Sequence, residues 1–369
     1  MEINQPTLLL DKQKCQANIE RMTQKARKHR VKLNPHFKTH QSVSIGKWFH
    51  EMGTREITVS SVKMAEYFAD HGWKYITIAF PCNILQIERI NRLSNSIHLT
   101  LFVNSLATAK FLAKHLNSRV KVITEIDTGY HRTGVLAEDT DTIEQLLNFI
   151  AKSDKLEFSG FYTHSGNTYH AKTRKGIAEI HSTTLFKLNQ LRKYFSSISK
   201  DISLSIGDTP GCTLIDNFTG ISSIHPGNFV FYDVNQFNIG SCPTNWIAVA
   251  VACPVVDKIN KRKEIILHGG AVHFSKDYEF RSDGSKNYGI PVLLDENGWS
   301  TPYFDNYLYS ISQEHGLLKC TSEFYSRVKI GGVIGILPIH SCLTANLMKG
   351  YKTLDGKSID HLEGQPEFV

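Results

Sequence analysis

Lys38 lies in Val31-Lys-Leu-Asn-Pro-His-Phe-Lys-Thr-His40, preceded by Phe37 and bracketed by His36 and His40. An amine held among aromatic and apolar walls is pushed toward its neutral form, the form a nucleophile for carbonyl chemistry requires. The same residues also read as a solvated loop lysine or as a His-x3-His metal pair. In Ser205-Ile-Gly-Asp-Thr-Pro-Gly211, Gly207, Thr209 and Gly211 offer backbone N–H groups, a hydroxyl and freedom for unusual dihedrals, the makings of an anion cradle. Arg132 sits between two glycines and could pair with a carboxylate or a ring nitrogen, and His164 could stack on a planar ligand. Taken singly, an exposed arginine and a hydrogen-bonded core histidine explain these two as well. His340 and Cys342 stand two apart, so on an extended segment both point to one face. Imidazole plus thiolate suits Zn²⁺, with a buried cysteine beside a surface histidine as the plainer account.

Residues this far apart need a scaffold that gathers them. A short apolar strand at 7–10 precedes a helix capped by Asp11, with Cys15, Ile19, Met22 and Ala26 at helical spacing. Strand-like runs follow at 31–37, 56–60, 75–79, 97–103, 120–127, 156–163, 202–206 and 221–231. Helical stretches at 42–52, 62–71, 84–93, 106–116, 140–151 and 171–195 separate them, and the seventh connection, around 210–218, is short. Eight strands with helical connections predict a (β/α)8 barrel, with a doubly wound open sheet as the other candidate. After residue 238 the texture changes to strands at 246–256, 264–274, 289–294, 317–321 and 328–337 with Gly, Pro, Asp and Asn at the turns. The expected organisation is a barrel over 18–237 and a mostly-β domain over 238–369, which the strand within 1–17 could join.

In a barrel, chemistry collects at the C-terminal ends of the strands. Lys38 follows the first, Asp127-Thr-Gly-Tyr-His-Arg-Thr-Gly134 the fifth, Thr163-His-Ser-Gly-Asn-Thr-Tyr169 the sixth and the Gly207–Gly211 loop the seventh, with His225-Pro-Gly-Asn228 in the eighth region. A lysine nucleophile, an anion cradle opposite it and an aromatic stacker together spell a pyridoxal phosphate site, because that cofactor needs an amine, a phosphate clamp and a partner for its ring nitrogen.

These segments resemble the fold-type III pyridoxal-phosphate enzymes, specifically the D-threonine aldolase/D-serine dehydratase-like family. Pro35-His-Phe-Lys-Thr-His40 is similar to the family's lysine motif, Glu125–Gly134 to its D-x-G-x-x-R-x-G segment, His164-Ser-Gly-Asn to its ring-side histidine loop and Gly207-Asp-Thr-Pro to its phosphate loop. Pro226-Gly-Asn-Phe-Val-Phe-Tyr-Asp233 resembles a P-G-x-Y-V-F-x-D strand, with Phe229 where tyrosine is usual, and Pro338-Ile-His-Ser-Cys342 resembles a metal motif. The resemblance implies catalysis by Lys38, His340 and Cys342, and cofactor contacts from Lys38, Arg132, His164, Tyr169, Gly207, Asp208, Thr209 and Tyr232. It implies a divalent metal on His340 and Cys342, Zn²⁺ first and Mn²⁺ or Mg²⁺ as alternatives. The implied reaction is lysis of a D-3-hydroxy amino acid, by dehydration or by aldol cleavage. Cysteine at 342 leans toward dehydration, since aspartate is commoner there in aldolases. The fold also serves racemases, but Gly269-Gly-Ala-Val-His-Phe-Ser275 lacks their second-face tyrosine, and non-catalytic cofactor carriers lack the β domain. Homodimers, with one subunit's β domain closing the other's site, are expected by the same resemblance.

Composition bounds the rest. Hydrophobic content of 41% and charged content of 21% describe an ordinary globular protein. The net charge of +7 owes much to Lys12–Lys32, a solvated helix face without the aromatic interleaving of a nucleic-acid surface, so no nucleic-acid partner is expected. No signal peptide or membrane span is expected either. Seven scattered cysteines without a C-x-x-C pair predict free thiols and a cytoplasmic setting.

Overall fold

The structure, a computed structural model, describes residues 2–171 and 173–364. The chain divides into two compact units, one of residues 21–38 and 49–227, the other of residues 1–20, 39–48 and 228–369.

The first unit is the barrel. Its parallel strands run in the order Lys32–Leu33, Ser223–Ile224, Ser203–Ile206, Leu156–Thr163, Val120–Asp127, His98–Phe102, Tyr75–Pro81 and Glu56–Val59. A parallel bridge between His36 and Thr58 closes the circle, with Phe37 N–H on Thr58 O at 2.8 Å and Thr58 N–H on Pro35 O at 3.0 Å. The open sheet is thereby excluded. Helices start where a short polar side chain can take an orphan N–H. Ser61, Ser105, Asp139 and Thr173 cap the helices Val62–Asp70, Leu106–His115, Thr140–Ala151 and Arg174–Tyr194. The Thr140–Ala151 helix buries Ile143, Leu146, Leu147 and Ile150, the i, i+3, i+4, i+7 stripe that packs a helix on a sheet. Each such side chain contributes roughly 1.5–3 kcal/mol of burial.

Closure is also made by side chains. Ser205 Oγ lies 2.9 Å from Ser223 Oγ, which lies 2.8 Å from His225 Nε2. His225 Nδ1 lies 2.7 Å from Thr58 Oγ1, whose hydroxyl donates to Asn34 O at 2.9 Å. Because Thr58 spends its one proton on Asn34, His225 Nδ1 must be the donor to Thr58 and Nε2 the acceptor. The neutral ring thus ties strands from the first, second, seventh and eighth positions together.

Two strands are shorter than the 31–37 and 221–231 runs predict. Asn34-Pro35 ends the first ladder after Leu33. The eighth ends at Ile224, and Pro226 and Gly227 lead into a 3-10 turn at Asn228–Val230.

In the second unit the longest strand, Val249–Ile259, pairs antiparallel with Thr7–Leu10, Glu264–His268 and Val333–Pro338. Thr7–Leu10 also pairs parallel with Tyr351–Thr353, so the N-terminal strand joins the β-rich unit. The run at 264–274 is not one strand; it stops at His268 and, after Gly269-Gly270, becomes a short helix at Ala271–Phe274. The division falls at 20/21 and 227/228, against 17/18 and 237/238 expected from texture, and residues 39–48 go with the β-rich unit. The reason is a clamp. Asp360 accepts from Val43 N–H (2.6 Å), Ser44 N–H (2.9 Å) and Ser42 Oγ (3.0 Å), capping the Val43–Glu51 helix from outside, and Leu362 N–H donates to Gln41 O at 2.7 Å.

All seven cysteines are free. No helix among the described residues is long and apolar enough to cross a membrane.

Candidate active site

In the barrel unit Lys38 follows the Pro35–Phe37 bend, but its surroundings differ from expectation. Lys38 is exposed, and Phe37 takes the apolar walls instead, its ring 5.0–5.1 Å from those of Phe49, Phe68 and Trp73. Lys38 sits in the turn that follows, the one exposed side chain between buried Phe37 and Thr39. Lys38 and Arg132 both bear electrostatically on His164. Burial first, then these two cations, hold the His164 ring neutral, down at about 3, although its Nδ1–H donates to Gly207 O at 2.9 Å. That bond leaves Nε2 as the unprotonated nitrogen.

Arg132 is carried by a loop folded around Asp127, whose Oδ1 accepts from Gly129, Tyr130 and His131 N–H at 2.8–3.1 Å. Gly134 has φ +101, and a Cβ there would lie 2.8 Å from Glu125 O, so only glycine lets the loop return. Arg132 Nη2 lies 3.9 Å from the buried Glu125, whose carboxyl burial pushes up.

At the seventh strand's end, Tyr169 Oη accepts from Thr209 N–H at 3.2 Å. A Cβ on Gly207 would lie 2.0 Å from the Tyr162 hydroxyl, so the loop backbone is bare where it is most crowded. Thr209 Oγ1 is buried and has no hydrogen-bond partner among the described residues. An orphaned buried hydroxyl is costly, and a bound anion would satisfy it. Asp208 shapes the start of this loop. Its Oδ2 accepts from Gly211 N–H (2.7 Å) and Thr168 Oγ1 (3.0 Å), capping the Thr209–Leu214 helix and shaping the cradle. Lys38, Arg132, His164, Tyr169, Gly207, Asp208 and Thr209 all belong to the barrel unit, whereas Tyr232 belongs to the β-rich unit, buried with its ring 5.7 Å from that of Trp246.

The β-rich unit carries the second constellation. His340 and Cys342 do not share an extended segment: His340 is extended, and Cys342 lies in the first turn of the Ser341–Met348 helix. Helix entry nonetheless brings the two side chains into hydrogen-bond contact. Burial opposes charge on His340, but bonds to Asp277 and Cys342 outweigh it and raise the ring to about 11. Burial likewise opposes a thiolate, yet His340 and Thr39 bring the Cys342 thiol below its ordinary value. Thr39 Oγ1 lies 3.3 Å and Asn228 Nδ2 3.5 Å from the sulfur. Asp233 ties the floor together, accepting from Ser341 N–H at 3.0 Å and Asn228 Nδ2 at 2.6 Å. A thiol biased toward thiolate beside an imidazole is a donor set that fits a divalent transition metal.

Thr39 and Asn228 stood inside segments picked out by motif, without a role; Asp277 stood in none, and only tertiary structure brings it to His340.

A second group, His268, His273 and Glu314, has ligand-like side chains. Gly270 N–H donates to His273 Nδ1 at 3.1 Å, so the neutral ring keeps its proton on Nε2, the atom that faces Glu314 at 3.9 Å. That proton occupies the position a metal would need.

Comparison with known proteins follows the same division. Residues 10–233 match the model of the alanine racemase N-terminal domain, and residues 248–354 that of a putative serine dehydratase domain. The chain is 29% identical to a D-serine dehydratase of Dictyostelium discoideum, over 96% of this chain and 94% of that protein. It is 27% identical to the D-threo-3-hydroxyaspartate dehydratase of Delftia sp. (strain HT23), over 96% and 95%, and 21% identical to a D-threonine aldolase of Arthrobacter sp., over 94% and 88%. The solved structure of the Delftia enzyme superposes with a TM-score of 0.90 at 25% identity, covering 98% of each chain, and a related structure is described as a cysteine-to-alanine mutant in the metal-free form. With barrel and β-rich unit both matched, the chain belongs to the alanine racemase N-terminal domain family, in the branch that joins this barrel to a serine dehydratase domain.

Proposed function

We propose that the protein is a pyridoxal-phosphate- and metal-dependent lyase of D-3-hydroxy amino acids, working in the dehydratase direction. The observation that carries the reading is the pairing, in one chain, of a lysine-bearing barrel whose cradle holds an orphaned hydroxyl with a separate His–Cys donor pair. Pyridoxal phosphate, when bound, supplies an electron sink for charge developing at the substrate α-carbon, and a divalent metal supplies a Lewis acid for the β-hydroxyl.

Within this reading Lys38 would hold the cofactor through its amine, and the free amine would take the proton from the substrate α-carbon. Thr209 Oγ1 and the Gly207–Gly211 backbone bind the phosphate. His164, neutral and fixed by Gly207, would lie against the cofactor, and Arg132 would pair with its ring nitrogen or with a carboxylate. His340 and Cys342 hold the metal, with Zn²⁺ favoured by the thiolate. The overall change is loss of water from the amino acid and then hydrolysis to a 2-keto acid and ammonia. D-Serine and D-threo-3-hydroxyaspartate are the substrates to expect first. The absence of tyrosine in Gly269–Ser275 speaks against racemisation. A homodimer in the cytoplasm completes the proposal.

Product identification tests it. Incubation with D-serine, D-threonine and D-threo-3-hydroxyaspartate is expected to release keto acid and ammonia; glycine plus an aldehyde would move the enzyme to the aldolase branch, and L-amino acid product would make it a racemase.

A further inference from the structure

Asp277 lies outside every motif and outside the donor pair, yet it makes a short contact with His340 in the β-rich unit's site. Its Oδ2 lies 2.6 Å from His340 Nδ1. An ionised carboxylate only accepts, so Nδ1 must be the donor, which leaves Nε2 as the nitrogen able to bind a cation. The carboxylate is 46% exposed to water, where an aspartate is ionised at neutral pH. The segment bearing it is kept in a costly shape. Ser275 has φ +68 and ψ −173, a region otherwise nearly reserved for glycine, and its Oγ accepts Asp277 N–H at 3.1 Å. Backbone strain two residues before a carboxylate aimed at a ligand histidine places that carboxylate deliberately.

We infer that Asp277 is the positioning residue of the metal centre: it fixes the tautomer and orientation of His340 and raises the ring's donor strength toward a divalent cation. The inference rests on the reading of His340 and Cys342 as metal ligands. Outer partners of this kind typically change metal affinity by about 10- to 100-fold.

The test is a cobalt(II) titration of the metal-stripped full-length protein, followed at the thiolate-to-metal charge-transfer band, with thermal unfolding of each apo variant alongside. Asp277→Ala is expected to weaken cobalt binding by about 10- to 100-fold while the band at saturation and the apo melting temperature stay near wild type. Asp277→Asn, whose amide oxygen still accepts from Nδ1, is expected to recover much of the loss, a rescue that a merely structural role does not give. If His340→Ala abolishes tight binding but Asp277→Ala titrates within twofold of wild type, Asp277 has no such role and the ligand pair stands. If wild type itself gives no thiolate band, the ligand reading falls and Asp277's role with it.

Discussion

Around the barrel's lysine, burial strips charge from the side chains. His164 and His225 are held neutral at about 3, and the Glu125 and Asp208 carboxyls are pushed up. At the His340–Cys342 pair of the β-rich unit charge is kept: His340 is raised, Cys342 lowered and Asp277 lowered. The difference is one of ligand. A cradle of neutral donors with one unsatisfied hydroxyl suits a group that brings its own negative charge. An imidazole beside a thiol drawn toward thiolate suits an exchangeable cation, which replaces the shared proton.

The heaviest blow to the barrel side is Lys38→Ala. Turnover should fall by more than about 10⁴-fold, since an acid–base role alone is worth about 10²–10⁴ and the covalent anchor is lost as well. Borohydride reduction of the wild type should trap cofactor on the Lys38 peptide; an adduct on another lysine would remove the barrel from the comparison.

The β-rich side is broken separately. His340→Ala, Cys342→Ser or chelation should cost on the order of 10³-fold in turnover, the several kcal/mol a Lewis acid supplies, and leave the bound cofactor's absorbance in place. Turnover per folded molecule that survives in Cys342→Ser, with stability alone reduced, would make Cys342 a structural thiol.

Acid should act on the buried neutral rings. The folded values of His40 and His225, about 3, lie below the ordinary 6.5, so the unfolded chain takes up protons first as pH falls. Their contribution is complete above about pH 6.5 and is lost progressively toward pH 3, each ring steepening the decline by up to ~1.4 kcal/mol per pH unit. Denaturant unfolding at pH 7 and pH 5 checks this, and equal stabilities would mean the rings are not held neutral.

The smallest effect has the sharpest sign. Thr209→Val removes a hydroxyl that the cofactor-free protein leaves unpaired, so apo stability should hold or rise. Cofactor affinity should fall by about 0.5–1.5 kcal/mol, roughly tenfold at most. Affinity unchanged in this variant puts the phosphate elsewhere.

Much of this was legible in the chain because barrel strands are local signals. The strands Val120–Asp127 and Leu156–Thr163 coincide with their sequence periodicity to the residue, and the lysine bend is written in Asn34-Pro35. What escaped depends on distant contacts. Residues 39–48 look like part of the barrel until Asp360, 317 residues from Val43, clamps them to the other unit. Nothing local in His340-Ser-Cys342 announces a helix start, because the Ser341 N–H is taken by Asp233, 108 residues earlier. The apolar enclosure that the flanks of Lys38 suggest falls to Phe37, while Lys38, in the turn after it, is exposed.

The side-chain relay from Ser205 through Ser223, His225 and Thr58 to Asn34 carries a consequence for the order of folding. Its link from His225 to Thr58 joins residues 167 apart in the chain, so a large loop-closure entropy must be surrendered before that bond can form. Pairing between neighbouring strands, such as Val120–Asp127 with Leu156–Thr163, needs no such closure. In pulsed hydrogen exchange during refolding, the amides of Asn34 and His36, which donate to Ile224 O and Pro226 O across that closure, should therefore be the last in the barrel to gain protection.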